Sequence, residues 1–264
     1  MTAAAQSHPA VAPLGRMLAM QTKSQLLMML RVPAFSVTNL ALPLVFFTFF
    51  GLPVASRVTP DGLSVGAYVL ASFAAYSVGS IMVFSFGIGV ANERGMKIDL
   101  LMRATPLPPI IYMLGRVANA LLFALASLII LIIYGIVVGG VRQDITVWIN
   151  VVVRLLAGSL PFIALGFAIG YLSGPNVAPA AANLVYLPMT FASGFFLPLP
   201  QLPDFVRRAA PYLPTYHFAQ LAWSAVGAKS EPLYTSLLWL FGYTIFFFAI
   251  AVWAYQREEK RKFA

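Results

Sequence analysis

Six apolar runs set the layout of the chain, at residues 32–52, 66–90, 110–138, 147–172, 177–197 and 233–255. A helix needs about 20 mostly apolar residues to cross the hydrocarbon of a bilayer, and each run is that long. The pattern predicts an all-α polytopic membrane protein with six transmembrane helices. Proline punctuates two of the runs, as Pro33, Pro43 and Pro53 in the first and Pro179 and Pro188 in the fifth. Those two helices are expected to be kinked or partly unwound where neighbours can satisfy the freed backbone groups.

Three segments outside the runs carry information of their own. Residues 14–31 mix Leu14, Met17, Leu18, Leu26 and Met29 with Arg16, Gln21, Lys23, Ser24 and Gln25, which suits an amphipathic helix lying in the membrane interface. Residues 92–109 form the most charged internal loop. Residues 198–232 are too long for a hairpin turn, and the stretches 201–209 and 215–226 within them can form short helices bounded by Pro203, Pro211 and Pro214. The expected organisation is a leader at 1–31, a six-span domain at 32–256 containing the loop 92–109 and the connection 198–232, and a basic tail at 257–264.

Charge gives the spans a direction. Arg16, Lys23, Arg31, Arg94, Lys97, Arg103, Arg116, Arg257, Lys260, Arg261 and Lys262 fall on one side of a six-span topology, and Arg57, Arg142, Arg154, Arg207, Arg208 and Lys229 on the other. Positively charged loops stay in the cytoplasm, so the richer side, which holds both termini, is expected there. The first 31 residues have neither a long apolar core nor a small-residue cleavage site, and no secretory signal is expected in them. Composition agrees: 60% of the 264 residues are hydrophobic and 9% charged, far below the quarter or so of a soluble domain. The formal charge of +9 arises in loops between spans, so it points to anionic lipid rather than to nucleic acid. The absence of Cys removes disulfides, thiolate metal sites and thiol catalysis.

Most membrane chemistries lack their residues here. No glycine-rich loop ends in Gly-Lys-Ser/Thr, so ATP phosphates have no familiar cradle in this chain. The histidines are His8 and His217, no His-Glu-x-x-His run exists, and no metal site is expected. Ser193 with His217 is the one pairing that an intramembrane serine protease could use, but the glycine two positions before such a serine is missing. No Asp, Glu or Lys lies at mid-depth, and Arg116 and Arg154 are near enough to helix ends to snorkel. Proton relays usually need such carboxylates; a sodium site built from carbonyls would not. Asn39, Thr48, Asn119, Asn183 and Thr190 are expected to make hydrogen bonds between helices, and the stripe Gly158, Gly166, Gly170 and Gly174 to mark close helix packing.

Two stretches carry a family resemblance. Residues 92–116 read NERGMKIDLLMRATPLPPIIYMLGR, and residues 191–220 read FASGFFLPLPQLPDFVRRAAPYLPTYHFAQ. The first resembles the loop between the second and third spans of type-2 ABC exporter membrane subunits, through Glu93, Arg94, Leu100, Leu101, Thr105, Pro106 and Leu107. Here GMKID stands where many members have a Gly-Thr-Leu-Glu type turn. The second resembles the same family's fifth span and outer connection, through Ser193, Gly194, Phe196, Pro198, Leu202, Pro203, Pro214 and Tyr216.

The resemblance implies that two six-span subunits pair, with a homodimer expected, and that they bind two copies of a separate ATP-binding subunit. ATP and Mg would sit on that partner, and this chain would hold no cofactor and no catalytic site. The loop after the second span would be a coupling helix seated on the ATPase. Ile98, Leu101 and Met102 recur at helical spacing and can seal an apolar contact, while Glu93, Arg94, Lys97, Asp99 and Arg103 can supply rim charges. The expected coupling set is thus Glu93, Arg94, Lys97, Ile98, Leu100, Leu101, Met102, Arg103, Thr105 and Pro106. The family also implies that the first, second and fifth spans line the path, which nominates Phe46, Phe47, Thr48, Phe50, Asn183, Tyr186, Met189, Phe195 and Phe196. An aromatic and Met lining suits a hydrophobic or amphiphilic cargo. The expected function is a permease subunit of a bacterial plasma-membrane exporter for drug-like or antibiotic-like compounds. The alternatives are an exporter of lipid or lipid-linked glycan and, in another class, a secondary carrier or channel without an ATPase.

Overall fold

A computed structural model describes residues 13–30, 33–98 and 108–262, and the regular elements among them are helical. Helix α1 spans Leu14–Leu30, and α2 spans Pro33–Phe46 and continues through a π-helical turn, Phe47–Gly51, into a 3-10 turn, Leu52–Val54. Then come α3 (Val65–Gly95), α4 (Pro109–Val137), α5 (Ile145–Ala157), α6 (Leu160–Leu172) and α7 (Ala178–Ala192). The chain ends with three helices, α8 (Asp204–Ala209), α9 (Pro214–Ala225) and α10 (Leu233–Lys262). Among the described residues, four helical stretches are long and apolar enough to cross a membrane: Val65–Gly95, Ile110–Val137, Ile145–Leu172 and Leu233–Lys260. The third combines α5 and α6 across a break at Gly158 and Ser159.

The two proline-bearing runs depart from a regular span, as their prolines predict. In the first, Pro43 lies inside α2, the π-helical turn follows it, and Pro53 sits in the 3-10 turn. Gly51 closes the π-helical turn by leaving open the space that the Phe47 ring occupies. The fifth run gives only the 15 residues of α7, with Pro179 in its first turn and Pro188 inside it. At 1.5 Å per residue that is about 22 Å, short of the roughly 30 Å of hydrocarbon.

Helix α3 is the centre of the fold. It is buried almost continuously from Gly66 to Ala91, with α4, α6, α7 and α9 around it, and α6 is held between α3 and α10. Glycine sets the α3–α6 distance. A Cβ on Gly166 would lie 2.8 Å from Phe86 Cβ and 3.0 Å from the Val83 carbonyl, and one on Gly170 2.8 Å from Val90 Cβ and 3.0 Å from the Gly87 carbonyl. In lipid the hydrophobic effect does not draw helices together, so van der Waals contact between closely approaching backbones does. Gly158 continues the stripe against Leu221 and Phe218 of α9, whereas Gly174 faces open space.

Polar side chains add cross-links to this frame. Ser77 and Ser127 share a hydrogen bond of 2.7 Å between α3 and α4, and the Trp223 indole donates to Ser72 at 2.8 Å between α9 and α3. Tyr186 of α7 donates to the Tyr76 carbonyl at 2.9 Å. Of the mid-depth polar residues singled out in the sequence, Thr48 meets the Tyr134 hydroxyl of α4, as expected, but Asn183 and Thr190 bond back to their own helix, at the Pro179 and Leu187 carbonyls. Helix α9, expected as a short helix in the connection, is buried along most of its length against α3, α5 and α10. Its apolar face and Trp223 find partners there that a surface position would not offer.

The glycine contact makes a stability prediction. Gly166→Val or Gly170→Val should cost about 1–3 kcal/mol through overpacking, whereas Gly174→Ala should change stability by less than about 0.5 kcal/mol. Thermal unfolding in mild detergent measures both, and equal melting points for all three variants would contradict the packing role of the stripe.

Candidate functional site: a charged layer at the end of α3

The last turn of α3 carries Glu93 and Arg94, and both turn into the bundle. Arg94 lies over the C-terminus of α6, where the final carbonyls have no helical partner. One guanidinium nitrogen donates to the carbonyls of Gly170 and of Ser173, the latter at 3.3 Å. The other pairs with Glu258 of α10 at 2.7 Å, and the group stacks 5.6 Å from the Tyr171 ring. One arginine thus caps α6 and ties α3 to α10.

Glu93 faces the opposite neighbour. It pairs with Arg116 of α4 at 2.5 Å, and Arg116 also donates to the Ser85 carbonyl at 2.9 Å and lies 5.5 Å from the Phe86 ring. Gly89 leaves the room that this guanidinium occupies. Arg116 is 4% exposed, so it does not snorkel outward as expected; an acid one helix away satisfies it inside the bundle. Arg154 similarly reaches inward to Ser224 of α9 at 2.9 Å. One turn before Arg116, the Tyr112 hydroxyl lies beside Glu93 and Gln25 of α1. Helix α1 lies along α4, with Gln21 over Gly115. Four charges and one tyrosine therefore join α1, α3, α4, α6 and α10 at a single level.

The coupling residues expected from the sequence divide into two groups. Glu93 and Arg94 are committed to partners within the chain. Gly95, Met96 and Lys97 stand out from it, with Met96 65% exposed, and Ile98 is half-buried. Lys97 has a φ of 55°, the left-handed turn that commonly ends a helix. Leu100, Leu101, Met102, Arg103, Thr105 and Pro106 lie outside the described residues. Sequence reasoning missed Arg116, Tyr112, Gln25 and Glu258 as partners. Their one visible signal was a base, Arg116, and an acid, Glu258, close to helix ends on the same side of the topology.

The expected path residues do not share one surface. The Phe196 ring is the hub of an aromatic cluster, with Phe46, Phe50, Phe73, Tyr76 and Phe191 at centroid distances of 4.1 to 5.9 Å. Phe73 and Tyr76 of α3 and Phe191 of α7 were not nominated, although the i, i+3 spacing of Phe73 and Tyr76 places them on one face. Phe47 and Thr48 point instead to Tyr134 of α4. Tyr186 and Phe195 are buried in the core, Met189 is half-buried, and Asn183 is exposed. The Ser193 and His217 side chains take separate partners: Ser193 bonds Thr215 at 2.6 Å, while His217 bonds the Pro211 carbonyl at 2.8 Å and stacks on Trp239. Burial holds the His217 imidazole below its usual pKa, against the opposing pull of the Pro211 carbonyl and Glu231.

A buried helical frame with helices long and apolar enough to cross a bilayer defines a multi-pass membrane protein. Residues 51–253 match the family model described as ABC-2 family transporter protein, and the chain belongs to this family. It is also 27% identical over 239 residues to the candidate transport permease YvfS of Bacillus subtilis (strain 168), covering 90% of this chain and 97% of that protein. The chain is thus a permease component of an ABC transporter, in a family whose permeases generally work with an ATP-binding subunit.

The charged layer is testable by a double-mutant cycle. Arg116→Gln and Glu93→Gln should each cost roughly 1–3 kcal/mol, less than the ~3–5 kcal/mol of a fully buried pair because Glu93 keeps some exposure. The double variant should lose clearly less than the two single losses together; strict additivity in thermal unfolding would mean that the pair is not coupled.

Proposed function

We propose that this chain is the membrane subunit of an ATP-driven exporter of hydrophobic or amphiphilic, drug-like compounds. It works as a homodimer with two copies of a separate ATP-binding subunit that docks on residues 92–109. The charged end is cytoplasmic, α2 with its π-helical turn and α7 with the chain that follows complete six spans, and both termini lie inside. The carrying observation is the brace at the end of α3: the segment bearing Met96 and Lys97 is fastened through Glu93 and Arg94 to α1, α4, α6 and α10. A push on that segment would move these helices together, which is what rigid-body transmission from a motor requires. Met96, Lys97 and the residues after them serve as the docking surface, and Glu93 and Arg94 as its anchors.

The aromatic cluster around Phe196 is the closed side of the path in this reading. The exposed Phe49, Phe50, Leu184 and Phe191, on the first and fifth runs, form the edge along which a second copy would pack. Separation of the two copies would open Phe50, Phe191 and Phe196 to an apolar cargo. The lack of mid-depth carboxylates favours this reading over a proton-coupled carrier.

Two experiments test it. Lys97→Glu should weaken binding of the cognate ATP-binding subunit several-fold and lower transport, with the melting point of the isolated permease unchanged; undiminished ATP-dependent export would overturn the docking assignment. The chain has no native cysteine, so single cysteines report contacts cleanly. Leu184→Cys should cross-link between copies in oxidised membranes and Phe246→Cys should not; the reverse result would place the dimer contact on α10.

A further inference from the structure

The end of α6 and the end of α10 enclose a cleft of about 230 Å³ lined by Arg94, Tyr171, Ser173, Gly174, Arg257 and Glu258. Arg94 spends its two terminal nitrogens on Glu258 and on the α6 carbonyls, while its Nε is buried without a hydrogen-bond partner. Glu258 offsets one arginine charge, so the second arginine leaves the cleft with a net positive charge. Arg257 is exposed and lies 5.5 Å from the ring of Trp253, which is itself 54% exposed. The cleft lies where the apolar sequences of α6 and α10 run out, which for a spanning helix is the level of the lipid headgroups. An aromatic such as Trp253 is favoured at that level.

Below the cleft, α10 presents an apolar stripe to the outside. Ile245, Phe246, Val252 and Trp253 are all more than a third exposed and recur at helical spacing, ending beneath Arg257. The exposed guanidinium of Arg257, backed by the paired Arg94, above an outward-facing apolar track matches a molecule with one anionic phosphodiester and acyl chains. Arginine is suited to this role because its planar fork meets phosphate oxygens in pairs. Basic pockets between membrane helices bind anionic headgroups by this chemistry. We propose that this cleft binds the phosphate of an anionic phospholipid, with Arg257 and Arg94 as the cationic wall and the outer face of α10 as the acyl-chain track. The occupant would touch Arg94, and through it the cap of α6 and the brace to α10. The inference rests on the bilayer position of α6 and α10 and is independent of the motor and cargo assigned above.

The test uses the full chain, purified in mild detergent, stripped of lipid and titrated with phosphatidylglycerol, phosphatidylcholine or inorganic phosphate. Retained lipid is counted by native mass spectrometry and thermal protection is followed in parallel. Phosphatidylglycerol should bind and protect more strongly than phosphatidylcholine, and Arg257→Gln should weaken its binding by about fivefold, the share of one arginine at an anionic surface. Arg207→Gln, which removes the same charge at the opposite end, should leave binding unchanged. Equal binding of the two lipids would overturn the proposal, as would equal losses in the two variants. Protection by inorganic phosphate alone, matching that by phosphatidylglycerol, would make the occupant a free anion and also overturn it.

Discussion

The close approach of α3 and α6 governs the rest of the structure. Gly166 and Gly170 let two backbones meet where any side chain would hold them apart. Helices in lipid have little beyond such contact and a few hydrogen bonds to bring them together. Once α3 and α6 lie this close, their C-terminal ends fall side by side. Arg94 can then reach the free carbonyls at the end of α6 while still pairing with Glu258. The charged layer is thus a consequence of the glycine contact as much as of the charges.

That layer resolves a physical conflict. In the proposed function this segment docks a water-soluble partner, which needs polar residues, yet it must also grip helices built for lipid. The chain meets both demands by dividing the charges of one short turn. Glu93 and Arg94 face inward and are neutralised by Arg116 and Glu258, and Lys97, three residues on, faces outward. A left-handed backbone at Lys97 makes that reversal possible. Pairing keeps the buried arginine from carrying an uncompensated charge, whose cost would exceed what burial of its stem returns. The result is a joint among five helices.

The aromatic residues show where sequence reading is weakest. Phe46 and Phe47 are adjacent in sequence, but Phe46 joins the cluster around Phe196 and Phe47 turns to Tyr134 on α4. Neighbouring residues on a helix point about 100° apart, and the π-helical turn after Phe46 changes the phase again. A nominated pair on one run therefore need not face one path. The sequence argues against a Ser193–His217 pairing, and the structure agrees: Ser193 meets Thr215 and His217 meets the Pro211 carbonyl.

Length and hydropathy were enough to determine where the helices run, because lipid obliges a chain to satisfy its backbone within each segment. Each of the six apolar runs contains helix among its described residues, the prolines mark the irregular ones, the helix at Leu14–Leu30 falls where the mixed leader predicts it, and Gly158, Gly166 and Gly170 of the stripe pack helices together. Only the tertiary structure decided which charge meets which. Arg116 and Glu93 are 23 residues apart in sequence, and Arg94 is much further from Glu258, so no local pattern links them. Those pairs exist because helix packing brings the ends together and a low-dielectric setting makes an unpaired charge costly. Packing alone likewise turned Glu93 and Arg94, which read as rim charges of a loop, into a brace.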